Sequence, residues 1–147
     1  MTTDDLDDIC RIEKESFRNP WPKDMLQDAV QSKWTYCPAA KDSAGNLVGY
    51  ACLIIHDTLA HLTNIAVSKE LRHQGIGKML MNNLVGKADD FGCTEMILDV
   101  RPSNHEAISL YNEYGFTELY RRESYYSNPS EDAVVMGLSL GKRNCSG

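Results

Sequence analysis

No stretch of this chain is apolar for the ~20 residues that a membrane span requires. Its opening residues, MTTDDLDDIC, are acidic and have no apolar core, so they do not read as a signal peptide. The five cysteines (Cys10, Cys37, Cys52, Cys93, Cys145) form no CxxC pair, and the four histidines (His56, His61, His73, His105) form no HxxxH or HExxH pattern. These absences argue against a disulfide framework and against a metal site, and for reduced thiols in a cytoplasmic protein. Positive charge is also scarce: 15 Lys and Arg stand against 21 Asp and Glu, a net charge of −6. A general nucleic-acid partner is therefore not expected, because neutralising phosphates needs a basic surface. No membrane partner is expected either. An acidic chain better suits a cationic partner, such as an amine or a basic peptide. There is no internal repeat and no low-complexity segment, and the 147 residues have the usual size of one domain.

What is present reads as alternating helices and strands. Leu6, Ile9, Ile12 and Phe17 recur at near-helical spacing. The prolines of NPWP (19–22) end that helix, and a second short helix is expected over 23–31. WTYCPAAKD reads as a strand disturbed by Pro38, followed by a turn at SAGN. LVGYACLIIHD and LAHLTNIAV are strands rich in β-branched and apolar residues. After Gly75, the positions Ile76, Met79, Leu80, Leu84, Val85 and Ala88 fit one helical stripe, and Gly92 ends it. TEMILDVRP is a strand with Met96, Leu98 and Val100 on one face and Ile97, Asp99 and Arg101 on the other. Ser103 and Glu106 have capping-box spacing ahead of another helix, which Gly115 closes. FTELYRRESYY and AVVMGLSL are two final strands. The order implies an α/β fold, a mixed sheet with helices on its faces. One domain is expected over 1–140 and a loose tail over 141–147.

Within this order, LRHQGIGKML (71–80) stands out. Its two glycines lie where a strand gives way to the first turn of a helix. The free N–H groups of such a turn, with the helix dipole, make an anion site. Glycine lets the backbone approach a phosphate closely. Arg72, His73 and Lys78 would add donors. The spacing matches neither the GxxxxGK[ST] of a P-loop nor GxGxxG. A plain glycine turn joining strand to helix is the alternative.

Arg72-His73-Gln74-Gly75-Ile76-Gly77 resembles the [RQ]-x-x-G-x-[GA] loop of the GNAT superfamily of acyl-CoA-dependent N-acetyltransferases. NIAV, LDVRPSNHEAISLYNEYGF, ESFRNPWP and RRESYYSNPSEDAVVM extend the resemblance over nearly the whole chain. They are similar to the branch that acetylates the N-terminal alanine of ribosomal proteins. The resemblance implies a GNAT fold: a central sheet of about six strands, splayed at the cofactor cleft, with a first edge strand short or missing here. It implies acetyl-CoA as cofactor, a protein or peptide N-terminus as acceptor, and a monomer or weak dimer. It places the cofactor arm along Ile65, Ala66 and Val67, which also read as core strand residues. The pyrophosphate would lie on Arg72, His73, Gln74, Gly75, Ile76, Gly77 and Lys78. Asn104 would bond the CoA arm, or simply cap its helix. Tyr111 would be the general acid toward the sulfur, or a core tyrosine. Asp99 stands where the branch has glutamate as general base, and would act through an ordered water or form an ion pair with Arg101. Trp21, Tyr125 and Tyr126 would grip the acceptor, with Glu13 and Glu131 as further acidic candidates. A backbone N–H near Ala66 or Val67 would stabilise the oxyanion. The alternatives are a relative acting on a small-molecule amine or a lysine side chain, or a non-catalytic acyl-CoA-binding module.

Overall fold

The computed structural model describes residues 2–17, 20–126 and 130–140. A 3-10 turn at Thr3–Asp5 leads into α1 (Leu6–Ser16), which buries Leu6, Ile9 and Ile12 on one face. Ahead of α1 the described residues contain no strand. Pro22, with φ −65° and extended ψ, sets the entry to α2 (Lys23–Gln31), which buries Leu26. The segment expected as one strand forms two, β1 (Thr35–Tyr36) and β2 (Ala39–Lys41), both antiparallel to β3 (Leu47–His56). The break falls at Cys37–Pro38. Proline has no N–H to give the ladder, although the Pro38 carbonyl still accepts from the Ala51 N–H at 3.1 Å.

The chain continues through β4 (Leu59–Val67), a 3-10 turn (Lys69–Leu71), α3 (Ile76–Asp90), β5 (Glu95–Val100), α4 (His105–Glu113), β6 (Thr117–Tyr126) and β7 (Glu131–Ser139). The strands form one seven-stranded sheet in the order β1-β3-β4-β5-β7-β6, with β2 also on β3. Among the described residues only β4 and β5 run parallel; every other pairing is antiparallel. The count is seven rather than about six because of the break at Pro38.

Alternation along the strands builds a core on each face. On one face Ala51, Leu53, Leu98 and Val100 pack with Met81, Leu84, Val85 and Ala88 of α3 and Tyr111 of α4. On the other, Tyr50, Cys52 and Ala66 pack with Leu6, Ile9 and Ile12 of α1 and Leu26 of α2. Two details differ from the sequence reading. Met81 is fully buried on α3 while Met79 is 60% exposed, so the apolar stripe centres one step further along the helix. Asn104, not Ser103, caps α4, its side chain accepting from the Ala107 N–H at 3.2 Å. Ser103 instead donates its N–H and hydroxyl to Glu131, at 2.8 and 2.9 Å. Cys10, Cys37, Cys52 and Cys93 are thiols rather than disulfides. The expected tail, 141–147, lies outside the described residues, as do Arg18 and Asn19 of the NPWP loop and residues 127–129 of the β6–β7 loop.

Candidate active site

β4 and β5 part company part-way along their length. Their pairing runs from Leu59–Glu95 to Leu62–Leu98 and stops there. One residue further, the β3–β4 ladder slips: Leu53 faces Leu62, but Cys52 faces Asn64, leaving Thr63 as the extra residue of a β-bulge. The Thr63 hydroxyl donates to the Cys52 carbonyl at 3.1 Å, within the bulge. The extra residue also exchanges the faces of β4. Ahead of it Ala60 and Leu62 join the α3–α4 core; beyond it Ala66 joins the α1–α2 core and Ile65 turns toward α3. The strand edge that includes Ile65, Ala66 and Val67 is thereby left open toward β5.

The glycine loop follows. Gly75 takes φ +86°, the left-handed region, and immediately precedes α3. Among the described residues no side chain caps that helix end. A Cβ on Gly75 would meet nothing within 4 Å, so the space beside that residue is open. Gly49 on β3 brings the helix close, since a Cβ there would lie 3.2 Å from the Ile76 side chain. Arg72 turns back, its Nε donating to the Val67 carbonyl at 3.2 Å and its Nη2 to the Ser16 hydroxyl at 3.0 Å. It ties the loop to the end of β4 and to α1. His73 (3.5 Å from Glu106) and Lys78 (3.2 Å from Glu113) are exposed at the same helix end. Gln74 is exposed beside them.

Tyr111 and Asp99 lie on opposite faces of the sheet. Tyr111 is buried beside Phe116, ring centroids 5.8 Å apart. Burial first, and then Tyr126, push its phenol well above the ordinary range, so it holds its proton at neutral pH. Asp99 points away from the α3–α4 core. Its carboxylate meets His61 Nε2 at 3.3 Å and Arg122 Nε at 3.6 Å. Arg101, the partner weighed from sequence, pairs with Glu131 at 3.3 Å and lies over the Tyr126 ring at 4.5 Å. The Tyr126 phenol is pushed up to about 12, by burial first and then by the Asp99 carboxylate. Tyr126 therefore lies within the electrostatic reach of both Tyr111 and Asp99, and Tyr125 packs edge-on against it at 5.1 Å.

Three comparisons bear on this geometry. Residues 6–116 match the acetyltransferase (GNAT) family. The chain belongs to the GNAT acetyltransferase family. It is 33% identical over 144 residues to a Bacillus subtilis (strain 168) chain provisionally named a ribosomal protein bS18-alanine N-acetyltransferase, covering 97% of this chain and 94% of that one. It is 29% identical over 142 residues to the Escherichia coli (strain K12) ribosomal protein bS18-alanine N-acetyltransferase, covering 95% of each. The crystal structure of the Escherichia coli ribosomal-protein-S18-alanine N-acetyltransferase superposes with a TM-score of 0.88 at 30% identity, covering 95% of this chain and 90% of that one.

As a GNAT N-acetyltransferase this chain uses acetyl-CoA, which supplies the acetyl group as a thioester. The site fits that molecule on three counts: an open β4 edge, an α3 N-terminus with no side-chain cap, and open space over Gly75. Among the described residues no group of three or more His, Cys, Asp or Glu could hold a metal ion. No helix among them is long and apolar enough to cross a membrane.

The remaining candidates are scattered. Trp21 lines a shallow groove with Asp7, Cys10, Arg11 and Lys14 on α1, and is not brought against Tyr125 and Tyr126. Its backbone N–H donates to Glu13 at 2.7 Å. Glu13 is buried at the centre of a network, also accepting from the Tyr50 hydroxyl and from Asn64 Nδ2 at 2.8 Å. Asn64 Oδ1 is buried without a partner among the described residues. Glu131 is held below the usual carboxylate range: burial pushes it up, but the donors of Ser103 and Arg101 outweigh that. Sequence reasoning missed His61 and Arg122. The one available signal for His61 was its place on β4 opposite the face of Ala60 and Leu62.

Proposed function

We propose that this chain transfers acetyl from acetyl-CoA to the N-terminal α-amine of a protein, with a ribosomal-protein alanine as the acceptor class. The observation that carries the reading is the fork itself. Tyr111 stands on its α3–α4 side and Asp99 on the other, so the sulfur can leave toward one face while the amine arrives from the other. The relatives' names support the choice of acceptor. An acceptor of that kind places the reaction in the cytoplasm.

The roles divide by face. The backbone of Ile65, Ala66 and Val67 pairs with the pantetheine arm as an added strand would. Gln74 to Lys78 and the α3 dipole hold the pyrophosphate, with His73 exchanging Glu106 for phosphate and Arg72 bracing the loop. Asn104 caps α4 through Oδ1, which leaves its Nδ2 donors to the CoA arm. A backbone N–H near Ala66 or Val67 faces the carbonyl oxygen as it gains charge. Tyr111 holds a proton for the departing sulfur. On the other face Asp99 and its partners receive the acceptor's ammonium, with Tyr125 and Tyr126 flanking it and Trp21 further out. Attack is direct, in a ternary complex, since the Cys52 side chain is fully buried and packed in the α1–α2 core.

The test is a mass measurement. The protein is incubated with acetyl-CoA and a peptide carrying the N-terminus of its own organism's bS18. One added acetyl group on the α-amine, absent from the N-terminally blocked peptide, is the expected result. Acetylation of a lysine, or of small amines only, would overturn the acceptor assignment.

A further inference from the structure

The aspartate in the base position is engaged by a neighbour that is the better proton acceptor. This inference deepens the reading above and rests on the acceptor being an amine. Asp99 is the first residue of β5 beyond the last β4–β5 pair, Leu62–Leu98, and His61 is the β4 residue just before that pair. Their side chains meet where the strands separate, with His61 Nε2 3.3 Å from Asp99 Oδ2. The His61 side chain is 36% exposed and that of Asp99 only 15%, so the imidazole is the more accessible to an incoming acceptor. We infer that His61 and Asp99 act as a dyad: Asp99 orients the imidazole, and His61 accepts the acceptor's proton.

Chemistry favours this division. An α-ammonium titrates near 8, ordinary carboxylates near 4 and ordinary imidazoles near 6.5. Proton transfer from the ammonium is therefore unfavourable by ~10⁴-fold to a carboxylate but only by ~30-fold to an imidazole. The Asp99 carboxylate is also engaged through its other oxygen, Oδ1, which lies 3.6 Å from Arg122 Nε. Aspartate reaches ~1.5 Å less far than glutamate, and His61 supplies the reach that the shorter side chain lacks. With Nε2–H donated to Asp99, the lone pair is on Nδ1. The residues paired with His61 on either side, Ile54 of β3 and Ile97 of β5, are apolar. Among the described residues, the ionisable groups around Asp99 include Arg122 and Tyr126 of β6, with Arg101 and Glu131 acting on Tyr126 in turn.

The proton count closes. The nitrogen sheds two protons as its lone pair forms the N–C bond and the C–S bond breaks with its electron pair on sulfur. One passes to His61 Nδ1 and on to water. The other balances the proton that Tyr111 gives the sulfur. Asp99 remains ionised throughout, as a positioning residue.

The test compares wild type, His61→Ala and His61→Gln, with folding checked by thermal melts and acetyl-CoA affinity by calorimetry. At pH 7 about one α-amine in ten is neutral, and at pH 9.5 nearly all are. The expected loss in kcat/KM is ~10²-fold at pH 7, shrinking ~10-fold by pH 9.5 as the need for a base disappears. Added imidazole should restore part of the activity of His61→Ala. A loss that is the same at both pH values and is not rescued, or no loss at all, would overturn the dyad. A second measurement needs no acceptor, and so separates failure of the dyad from failure of the acceptor assignment. Nitrogen NMR of the neutral His61 ring should show the proton held on Nε2 in wild type and shared between both ring nitrogens in Asp99→Ala. A ring form that is the same in both proteins would overturn the dyad even if no peptide is acetylated.

Discussion

Replacing Gly75 by alanine separates a phosphate cradle from a plain turn. The residue sits at φ +86° and ψ 4°, which an L side chain adopts at a cost of ~1–2 kcal/mol. No steric term adds to this, because the new Cβ meets nothing within 4 Å. For a chain of this length that strain lowers Tm by ~2–8 °C. The same Cβ would stand in open space on the residue that immediately precedes α3. If pyrophosphate binds there, acetyl-CoA affinity should fall at least ~10-fold, about 1.4 kcal/mol. Gly86→Ala, further along α3 and outside the loop, is the matched control: its Cβ would meet nothing within 4 Å. Inside a helix alanine is favoured over glycine by up to about 1 kcal/mol, so this variant should melt slightly higher and bind acetyl-CoA much as wild type does. Thermal melts without ligand and calorimetric titration with acetyl-CoA read the two effects independently. If Gly75→Ala melts lower as expected but binds acetyl-CoA like wild type, the glycine serves the turn alone and the phosphate argument is wrong. An unchanged Tm would refute the strain argument.

Three further variants probe the rest of the site. Tyr111→Phe should keep acetyl-CoA affinity and lose ~10²–10³-fold in kcat, the scale of one acid–base group; equal turnover would remove Tyr111 from the chemistry. Glu13 accepts from three donors, on Tyr50, Asn64 and Trp21. Glu13→Gln sets its own NH₂ against one of them and should cost ~2–3 kcal/mol in denaturant unfolding, whereas a loss under ~0.5 kcal/mol would mean the network is not structural. The Glu131 carboxyl is depressed in the folded chain, so its stabilising effect is whole above the ordinary glutamate value of 4.5 and is lost as pH falls below it. The melting curves of wild type and Glu131→Gln should accordingly converge on acidification from pH 6, and a gap that stays constant would contradict the assigned partners.

Much of the fold was legible because its signals are local. Leu6, Ile9 and Ile12 mark the buried face of α1, and Met96, Leu98 and Val100 alternate as a half-covered strand must. What escaped was tertiary. Ser103 is as good a helix cap as Asn104 by chemistry, but Glu131, 28 residues on, captures it. Met79 and Met81 are equally apolar, and only the packing of α3 on the sheet decides which is covered. Arg72 has the chemistry of a phosphate donor, yet its structural partners are Ser16 and Val67. At the site, Tyr111 and Asp99 were placed by resemblance to a family. His61 could not be reached that way, because its partner lies 38 residues further along on a different strand.

The bulge at Thr63 is the feature from which the site's layout follows. A regular β4 would keep His61 and Ile65 on one face, since the side-chain period of a strand is two. The extra residue breaks that period between them. His61 stays on the face of Asp99, while Ile65 turns to α3, the helix that begins at the glycine loop. Asn64, next to the bulge, reaches the buried Glu13 of α1 and so fixes how β4 leaves its partner. Deleting Thr63 would restore a regular ladder yet leave His61 and Ile65 on their present faces, because Leu62, Asn64 and Ile65 then alternate directly. The deletion therefore tests the fork alone: if the bulge holds it open, the variant should fold and lose acetyl-CoA binding, and a deletion variant that still bound acetyl-CoA would show that the fork is held open by something else.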